Sequence, residues 1–172
     1  MSAKKTLTKE DWLRAAMELL RTRGIGGVRV LPLAKELGVS RGSFYWHFED
    51  HDDLLRCMLD WWDREMTESV IQYSEEAGGS VSKRLMLVAE DVVRFHRNRY
   101  ETAVRTWAAG DKRAAKALER VFRKRLDYIK CLQDCDDEDE DVFEFQVGEG
   151  ERRHDVAAKE MIGQDAAVLR RF

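Results

Sequence analysis

The sequence predicts an all-α fold, and three observations lead to that prediction. Alanine, leucine, glutamate, arginine and lysine, which favour helix, dominate the composition. Only one proline, Pro32, interrupts the 172 residues. Apolar side chains recur at the three- and four-residue spacing of buried helix faces, whereas strongly alternating, β-branched segments are scarce. We therefore expect helices everywhere except in the last residues, 133–172, which lose clear periodicity.

The first two helices are predicted from their ends. Thr8 is a suitable N-cap, and Asp11 stands three residues later, where it completes a capping box. Gly24 ends this helix. A second, shorter helix over residues 31–37 ends at Gly38. Because both are short and amphipathic, they are expected to pack against a third helix.

The third and fourth helices are predicted in the same way. Ser40 is the N-cap of the third helix, and Phe44 and Phe48 share its core face because they stand four residues apart. Asp50 is the N-cap of a long fourth helix, whose apolar stripe continues over residues 51–73. The sequence thus predicts a compact three-helix unit followed by a long helix.

The rest of the chain predicts a helical body and an atypical tail. Helical periodicity indicates helices over residues 81–97, 100–109 and 112–132. After them the sequence becomes acidic and aperiodic, and we assign that tail no packed role. Three domains are predicted: residues 1–50, 51–132 and 133–172.

Charge and composition exclude several classes of protein. The net charge is −3, but residues 1–48 hold nine Lys or Arg against four Asp or Glu, whereas residues 134–141 hold seven acids in eight positions. Three cysteines form no disulfide framework, and neither a membrane span nor a signal peptide is evident. The sequence predicts a soluble cytoplasmic protein that binds neither a membrane nor a cofactor.

Residues 38–48 carry the chemistry of DNA recognition. They indicate a helix stop, a turn and a short helix whose outer face is aromatic and polar. DNA readout needs cations for phosphates, donors or apolar groups for base edges, and a rigid mount. The side chains that meet these needs, with the backbone of Gly42 free to approach closely, are Ser40, Arg41, Ser43, Tyr45, Trp46 and His47.

Residues 8–54 closely resemble the N-terminal domain of TetR-family transcriptional regulators. The match rests on Leu33-Ala34-x-x-Leu37-Gly38-Val39-Ser40, then Phe44-Tyr45-Trp46-His47-Phe48, then Leu54. The resemblance implies an all-helical homodimer that binds a palindromic operator in double-stranded DNA, usually as a repressor, and that a small-molecule effector releases. It places the DNA-binding segment over residues 29–48, with groove contacts from Arg41, Ser43, Tyr45, Trp46 and His47.

Three departures from the family pattern stand out. Arg29 occupies a position where the family often has Thr as helix cap, so Arg29 is expected to reach a phosphate instead. His51 stands where Lys or Arg is frequent, which weakens one phosphate contact. The tail after residue 131 lacks the two long helices with which family members usually end. A changed reading frame is one hypothesis for this break, and resequencing the coding region tests it.

Less specific interpretations remain beside these. Tyr45 and Trp46 can instead form a local aromatic cap, Arg41 can lie in solvent, and His47 can bind a neighbouring carbonyl. The acidic run is expected to be solvated, with competition for the basic face as the alternative. An effector pocket or, equally, plain core is expected for Trp61, Trp62, Phe95, His96 and Trp107.

Neither an enzyme nor a metal site is predicted. No nucleophile elbow, phosphate loop or dinucleotide fingerprint is present, and Cys131 and Cys135 lack the second ligand pair of a zinc site. The competing function is a helical interaction protein that kept the helix-turn-helix fold but lost DNA binding.

Overall fold

The computed structural model describes residues 7–94 and 97–139, with side chains for all of these except 97–98 and 135–139. Within these ranges the predicted all-α fold is confirmed. The α-helices are α1 (Lys9–Arg23), α2 (Val30–Glu36), α3 (His51–Asp63), α4 (Ser69–Ala77), α5 (Val81–Arg94), α6 (Glu101–Ala108) and α7 (Lys112–Asp139). We call residues 7–50 the head and residues 51–94 and 97–139 the body.

The head begins with the predicted capping box. Thr8 Oγ1 accepts a hydrogen bond from Asp11 N (3.2 Å), and Asp11 Oδ2 accepts one from Thr8 N (2.8 Å). Gly24 ends α1 with φ +66°, a conformation that favours glycine. The core face of α1 is formed by its buried residues Trp12, Leu13, Ala16, Met17, Leu19 and Leu20.

The third helix differs from its prediction. Residues Arg41–Trp46 form a 3₁₀ helix instead of an α-helix, and Ser40 stands at its N-cap without a side-chain capping bond. The segment lies between the left-handed Gly38 (φ +66°), which follows α2, and Asp50, which caps α3. We call Arg41–Trp46 the recognition segment.

The long fourth helix of the sequence prediction is present, with an irregularity that the sequence does not show. Asp50 caps α3 as predicted, its Oδ1 accepting from Asp53 N (2.8 Å). Between α3 and α4 the backbone makes one π-helical turn, Arg64–Glu68. Arg125 of α7 donates to the carbonyl of Met66 inside this turn (3.4 Å) and thereby satisfies one of its backbone acceptors.

The last helix is longer than predicted. The sequence places its end at Leu132, but α7 continues to Asp139, so the predicted domain boundary falls inside a helix. Adding residues to an existing helix costs far less than starting one, and α7 is anchored by buried residues up to Leu132. The predicted tail from residue 140 onward lies outside the described residues.

Head and body share one apolar core, which fixes their relative position. Trp12 and Phe44 of the head and Trp62 and Trp107 of the body belong to the same buried cluster. A polar contact crosses the junction as well: the fully buried Tyr100 donates its hydroxyl to Glu18 Oε1 of α1 (2.7 Å). The recognition segment is therefore mounted on a head that the body holds rigidly.

Replacing Tyr100 by phenylalanine should lower the free energy of unfolding by about 0.5–1.5 kcal/mol at neutral pH, since a part-buried hydrogen bond to a partly exposed carboxylate is lost. Burial and, next to it, the bond to Glu18 raise the pKa of Tyr100 to about 12. The unfolded chain loses the phenol proton from about pH 10, so the wild-type stability contributed by this proton declines between about pH 10 and about pH 12. The difference in free energy of unfolding between the wild type and Tyr100→Phe should therefore narrow over that range in denaturant titrations. A difference that stays constant would contradict the role given to the bond between Tyr100 and Glu18.

Candidate nucleic-acid interface

The recognition segment separates its aromatic side chains into a buried and an exposed set. Phe44 is fully buried, with its ring centroid 5.8 Å from that of Trp12 and 5.1 Å from that of Phe48. The next two side chains point outward: Tyr45 is 53% exposed and Trp46 is 87% exposed. Such large apolar surface in solvent is typical of a binding site.

The polar groups of the recognition segment gather around the exposed aromatics. Arg41 and Tyr45 stand four residues apart, and Arg41 Nη2 donates to the Tyr45 hydroxyl (3.4 Å). At the start of the segment the hydroxyls of Ser40 and Ser43 are 3.1 Å apart. Gly42 is exposed between them. One surface thus presents a guanidinium, two hydroxyls, a phenol and an indole.

The structure distinguishes the two histidines from this exposed group. His47 is half-buried, and its ring lies 6.1 Å from that of Trp12. His51 is also half-buried, and its Nε2 donates to the carbonyl of Val28 (2.7 Å). That bond joins the first turn of α3 to the residue before Arg29, so the starts of α2 and α3 lie side by side.

Arg29 occupies the N-cap of α2 without a capping bond, as the sequence predicts for an arginine there. Its side chain is exposed, and Nε donates to the carbonyl of Gly26 (3.1 Å). The bond uses one nitrogen of the guanidinium, so two remain for other acceptors.

Three cationic side chains in or near the head are not among the DNA contacts that the sequence predicts. Lys9 Nζ lies 5.0 Å from the centre of the Phe48 ring. Lys35 borders a surface groove together with Arg23, Leu31, Pro32 and Glu36. Arg113 of α7 reaches Asp52 at the start of α3 (3.1 Å). The two lysines could have been placed on the surface of the head from the periodicity of α1 and α2. Nothing in the sequence around Arg113 indicates its contact with Asp52, which lies 61 positions earlier.

The predicted effector-pocket residues of the body are core residues in this structure. Trp61, Trp62 and Trp107 are each at most 3% exposed and pack in the common cluster. Phe95 and His96 lie outside the described residues. Three of the five predicted pocket residues, the tryptophans, thus lie together inside the fold. The indole N–H groups of Trp61 and Trp62 have no hydrogen-bond partner among the described residues.

A polar network surrounds the π-helical turn beside these tryptophans. The buried Asp63 accepts from Arg120 Nε (3.0 Å) and Lys124 Nζ (2.9 Å). Burial opposes the charge of Lys124, but its bonds to Glu68 and Asp63 outweigh burial and raise its pKa. Arg125 reaches Thr67 (3.1 Å) from the same helix. The network ties α7 to the junction of α3 and α4.

The described residues hold neither a cluster of metal ligands nor a membrane-spanning helix. No three His, Cys, Asp or Glu side chains there lie close enough together to hold a metal ion. Among those residues, too, no helix combines the length and the apolar character that crossing a membrane requires.

Comparison with known proteins identifies the head. Residues 13–58 match the family model of bacterial regulatory proteins, tetR family. Over these residues the chain is similar to the tetR family. The match includes α2, the recognition segment and the first half of α3, so the exposed aromatic surface lies within the matched region.

Two curated relatives share this tetR-family region. The chain is 29% identical over 96 residues to the HTH-type transcriptional regulator AcrR of Shigella flexneri. The aligned region covers 54% of this chain and 45% of that protein. It is 37% identical over 54 residues to the tetracycline repressor protein class C of Escherichia coli, which covers 31% of this chain and 25% of that protein. The chain thus matches less than half the length of either relative.

One solved structure shares the fold over the whole chain. The crystal structure of superantigen PfiT aligns with a TM-score of 0.57 at 17% identity, and the alignment covers 100% of this chain and 88% of that one. At this identity the likeness concerns the fold alone.

Proposed function

We propose that the chain is a transcriptional regulator that binds double-stranded DNA through its helix-turn-helix. The observation that carries this proposal is the exposure of Tyr45 and Trp46 beside Arg41, on a segment anchored by the buried Phe44. A side chain as apolar and as exposed as Trp46 needs a partner. The names of both curated relatives describe transcriptional regulators or repressors, not enzymes.

In the proposed mode the recognition segment enters the major groove. Arg41 forks onto a guanine edge or a phosphate, while Ser43 and the backbone of Gly42 allow close approach. Tyr45 and Trp46 offer one hydroxyl, one indole N–H and two flat faces for phosphate, sugar or a thymine methyl. The contacts from Ser40 and His47 are hydrogen bonds at the two ends of the segment.

Phosphate contacts from outside the recognition segment fix its register. Arg29 at the start of α2 and His51 at the start of α3 lie side by side, as the bond from His51 to the Val28 carbonyl shows. Because His51 uses Nε2 in that bond, its contribution to DNA binding is to hold the start of α3 beside Arg29. Both contacts position the head without reading sequence.

We further propose a homodimer that represses transcription at a palindromic operator. Two heads then occupy successive major grooves, roughly 34 Å apart. Among the described residues the body exposes large apolar side chains that a second copy can cover, namely Tyr73, Met86 and Val93. Linking two heads raises operator affinity through avidity, which a monomer lacks.

Release by a small-molecule effector completes this proposal. We take the body as its site, although Trp61, Trp62 and Trp107 are core residues in this structure and a ligand would have to open that core. An effector that prefers a different spacing of the heads lowers operator affinity by that preference and by no more.

A helical interaction protein without operator binding is the second candidate. The acidic end of the chain favours it, because Asp134 and the acids after it replace the basic or apolar surface of a dimerisation helix. Sedimentation decides between the two: a strict monomer at micromolar concentration favours the second candidate.

Selection from a randomised duplex pool at low ionic strength tests the proposed function. The purified full chain should enrich duplexes with two related half-sites one helical turn apart. Recovery of no duplex above the background of the matrix without protein would contradict the proposal.

Replacing Arg41 by alanine should weaken binding to the selected duplex by about 1–3 kcal/mol and relax the preference at one base position. The side chain is exposed and bonds only weakly to Tyr45 (3.4 Å), so the fold should be unchanged. Fluorescence anisotropy across a panel of single-base variants of the duplex measures both effects. Equal affinities of the two proteins across the panel would remove Arg41 from the interface.

A further inference from the structure

The start of α3 is an electrostatic problem for DNA binding. Four of the five residues 49–53 are acids, and they follow the recognition segment directly. Uncompensated carboxylates beside a phosphate backbone repel it, and at low salt this repulsion extends over many ångströms. Since the proposed function places duplex DNA against this end of the head, a group that offsets any of these charges should strengthen binding.

Two of the four acids are engaged within the head and the first turns of α3. Asp50 Oδ1 caps α3 by accepting from Asp53 N (2.8 Å). Asp53 accepts from Arg56 Nη2 (2.5 Å) and from Glu49 N (3.1 Å), and these bonds hold the pKa of Asp53 below its usual range. Both carboxylates are therefore fixed and partly neutralised by neighbours close in sequence.

The third acid, Asp52, is neutralised from the body. Its side chain is 73% exposed, and its Oδ1 accepts from Arg113 Nη1 (3.1 Å). Arg113 belongs to the first turn of α7 and is itself held in place, because its Nη2 donates to Asp111 Oδ2 (3.3 Å). Asp111 in turn accepts from the backbone N–H groups of Arg113 (2.7 Å) and Ala114 (3.2 Å). The guanidinium is thus fixed by the start of α7 and aimed at the start of α3.

Stability gives little reason for this arrangement. An ion pair with both partners half exposed or more contributes almost nothing to folding, because solvent screens it. Its distinctive property is position: it brings a permanent positive charge from the body to the acidic edge of the recognition segment.

We propose that Arg113 is a positioning residue for DNA binding that acts by neutralising Asp52 at the edge of the DNA-binding face. The inference rests on the proposed function and deepens it. DNA affinity then depends on the contact between α7 and α3. A shift of the start of α7 away from the head exposes the charge of Asp52 and weakens binding.

Four chains test this: wild type, Arg113→Ala, Asp52→Asn and the double variant, each titrated against a duplex selected by the wild-type chain. Arg113→Ala should weaken binding about three- to tenfold at low salt, because Asp52 is left unneutralised. Asp52→Asn should bind more tightly than wild type, and the double variant should return close to wild type. The effects should shrink as salt is added. Arg123→Ala is the matched control, since Arg123 forms an exposed pair with Glu119 (2.6 Å) about 15 Å further along α7.

Each other outcome overturns the proposal in an identifiable way. An unchanged affinity of Arg113→Ala, with wild-type binding intact, refutes the role of Arg113 alone. A double variant as weak as Arg113→Ala means that Arg113 contacts phosphate itself, which replaces neutralisation of Asp52. A wild-type chain that binds no duplex removes the proposed function and this inference with it. Equal thermal unfolding of the four chains separates all of these from misfolding.

Discussion

Replacing Phe44 by alanine should unfold the head and abolish DNA binding together. The side chain is fully buried, and its ring packs against Trp12 (5.8 Å), Phe48 (5.1 Å) and Tyr45 (5.3 Å) between centroids. Removing a buried phenyl ring costs about 3–5 kcal/mol in transfer and cavity terms. That approaches the whole stability of a typical domain, so a large fraction of the heads should be unfolded.

Circular dichroism and intrinsic tryptophan fluorescence during denaturant titration measure the loss, since Trp12 reports on the same cluster. Phe44→Leu is the matched control, because a more conservative hydrophobic replacement should cost less than about 1.5 kcal/mol and retain binding. An alanine variant with the wild-type unfolding midpoint would show that the recognition segment is not anchored by this ring.

Replacing Trp46 by alanine should give the opposite combination, a stable fold that has lost DNA affinity. The indole is 87% exposed, and surface substitutions of this kind change stability by less than about 0.5 kcal/mol. If the indole contacts the duplex, its loss should weaken binding by about 1–3 kcal/mol, roughly ten- to a hundredfold.

Tyr73→Ala is the control for removing an exposed aromatic side chain. Tyr73 is 50% exposed on α4 of the body, outside the matched tetR-family region. The prediction requires Trp46→Ala to lose affinity for a duplex with a single half-site while Tyr73→Ala keeps it. On that duplex the proposed dimer surface, which includes Tyr73, adds no avidity. Equal binding by wild type and Trp46→Ala would mean that the indole has another partner.

The parts of the fold that depend on neighbouring residues could be predicted from the sequence. The capping box of Thr8 and Asp11 and the cap at Asp50 are confirmed because a side chain three residues away decides them. The burial of Phe44 and Phe48 is confirmed because helical spacing of two aromatics on a four-residue repeat assigns them to one face.

Features that depend on tertiary contacts could not be predicted. One backbone acceptor of the π-helical turn Arg64–Glu68, the carbonyl of Met66, accepts a hydrogen bond from Arg125, which lies 59 residues later in the chain. The bond from Tyr100 to Glu18 spans 82 residues, and nothing in either segment indicates the other. The end of α7 at Asp139 was missed because acidic residues are poor signals for helix continuation, whereas an anchored helix extends readily.

The same distinction between local signals and tertiary contacts applies to the residues of the candidate site. Exposure of Tyr45 and Trp46 agrees with the face that the sequence assigns to DNA, but contact of any named side chain with a duplex stays a prediction. For His51 the structure adds a bond to Val28 that sequence alone does not indicate, and for Trp61, Trp62 and Trp107 it shows burial.

The salt dependence of duplex binding tests most directly whether the head anchors on phosphates. Affinity should fall linearly on a double-logarithmic plot, with a slope of about −0.9 for each phosphate contacted, because each contact releases a counterion. A Trp46→Ala chain should keep nearly the same slope at lower affinity, since its lost contacts are apolar. A flat salt response, or no duplex binding at low ionic strength, would contradict DNA recognition by this head.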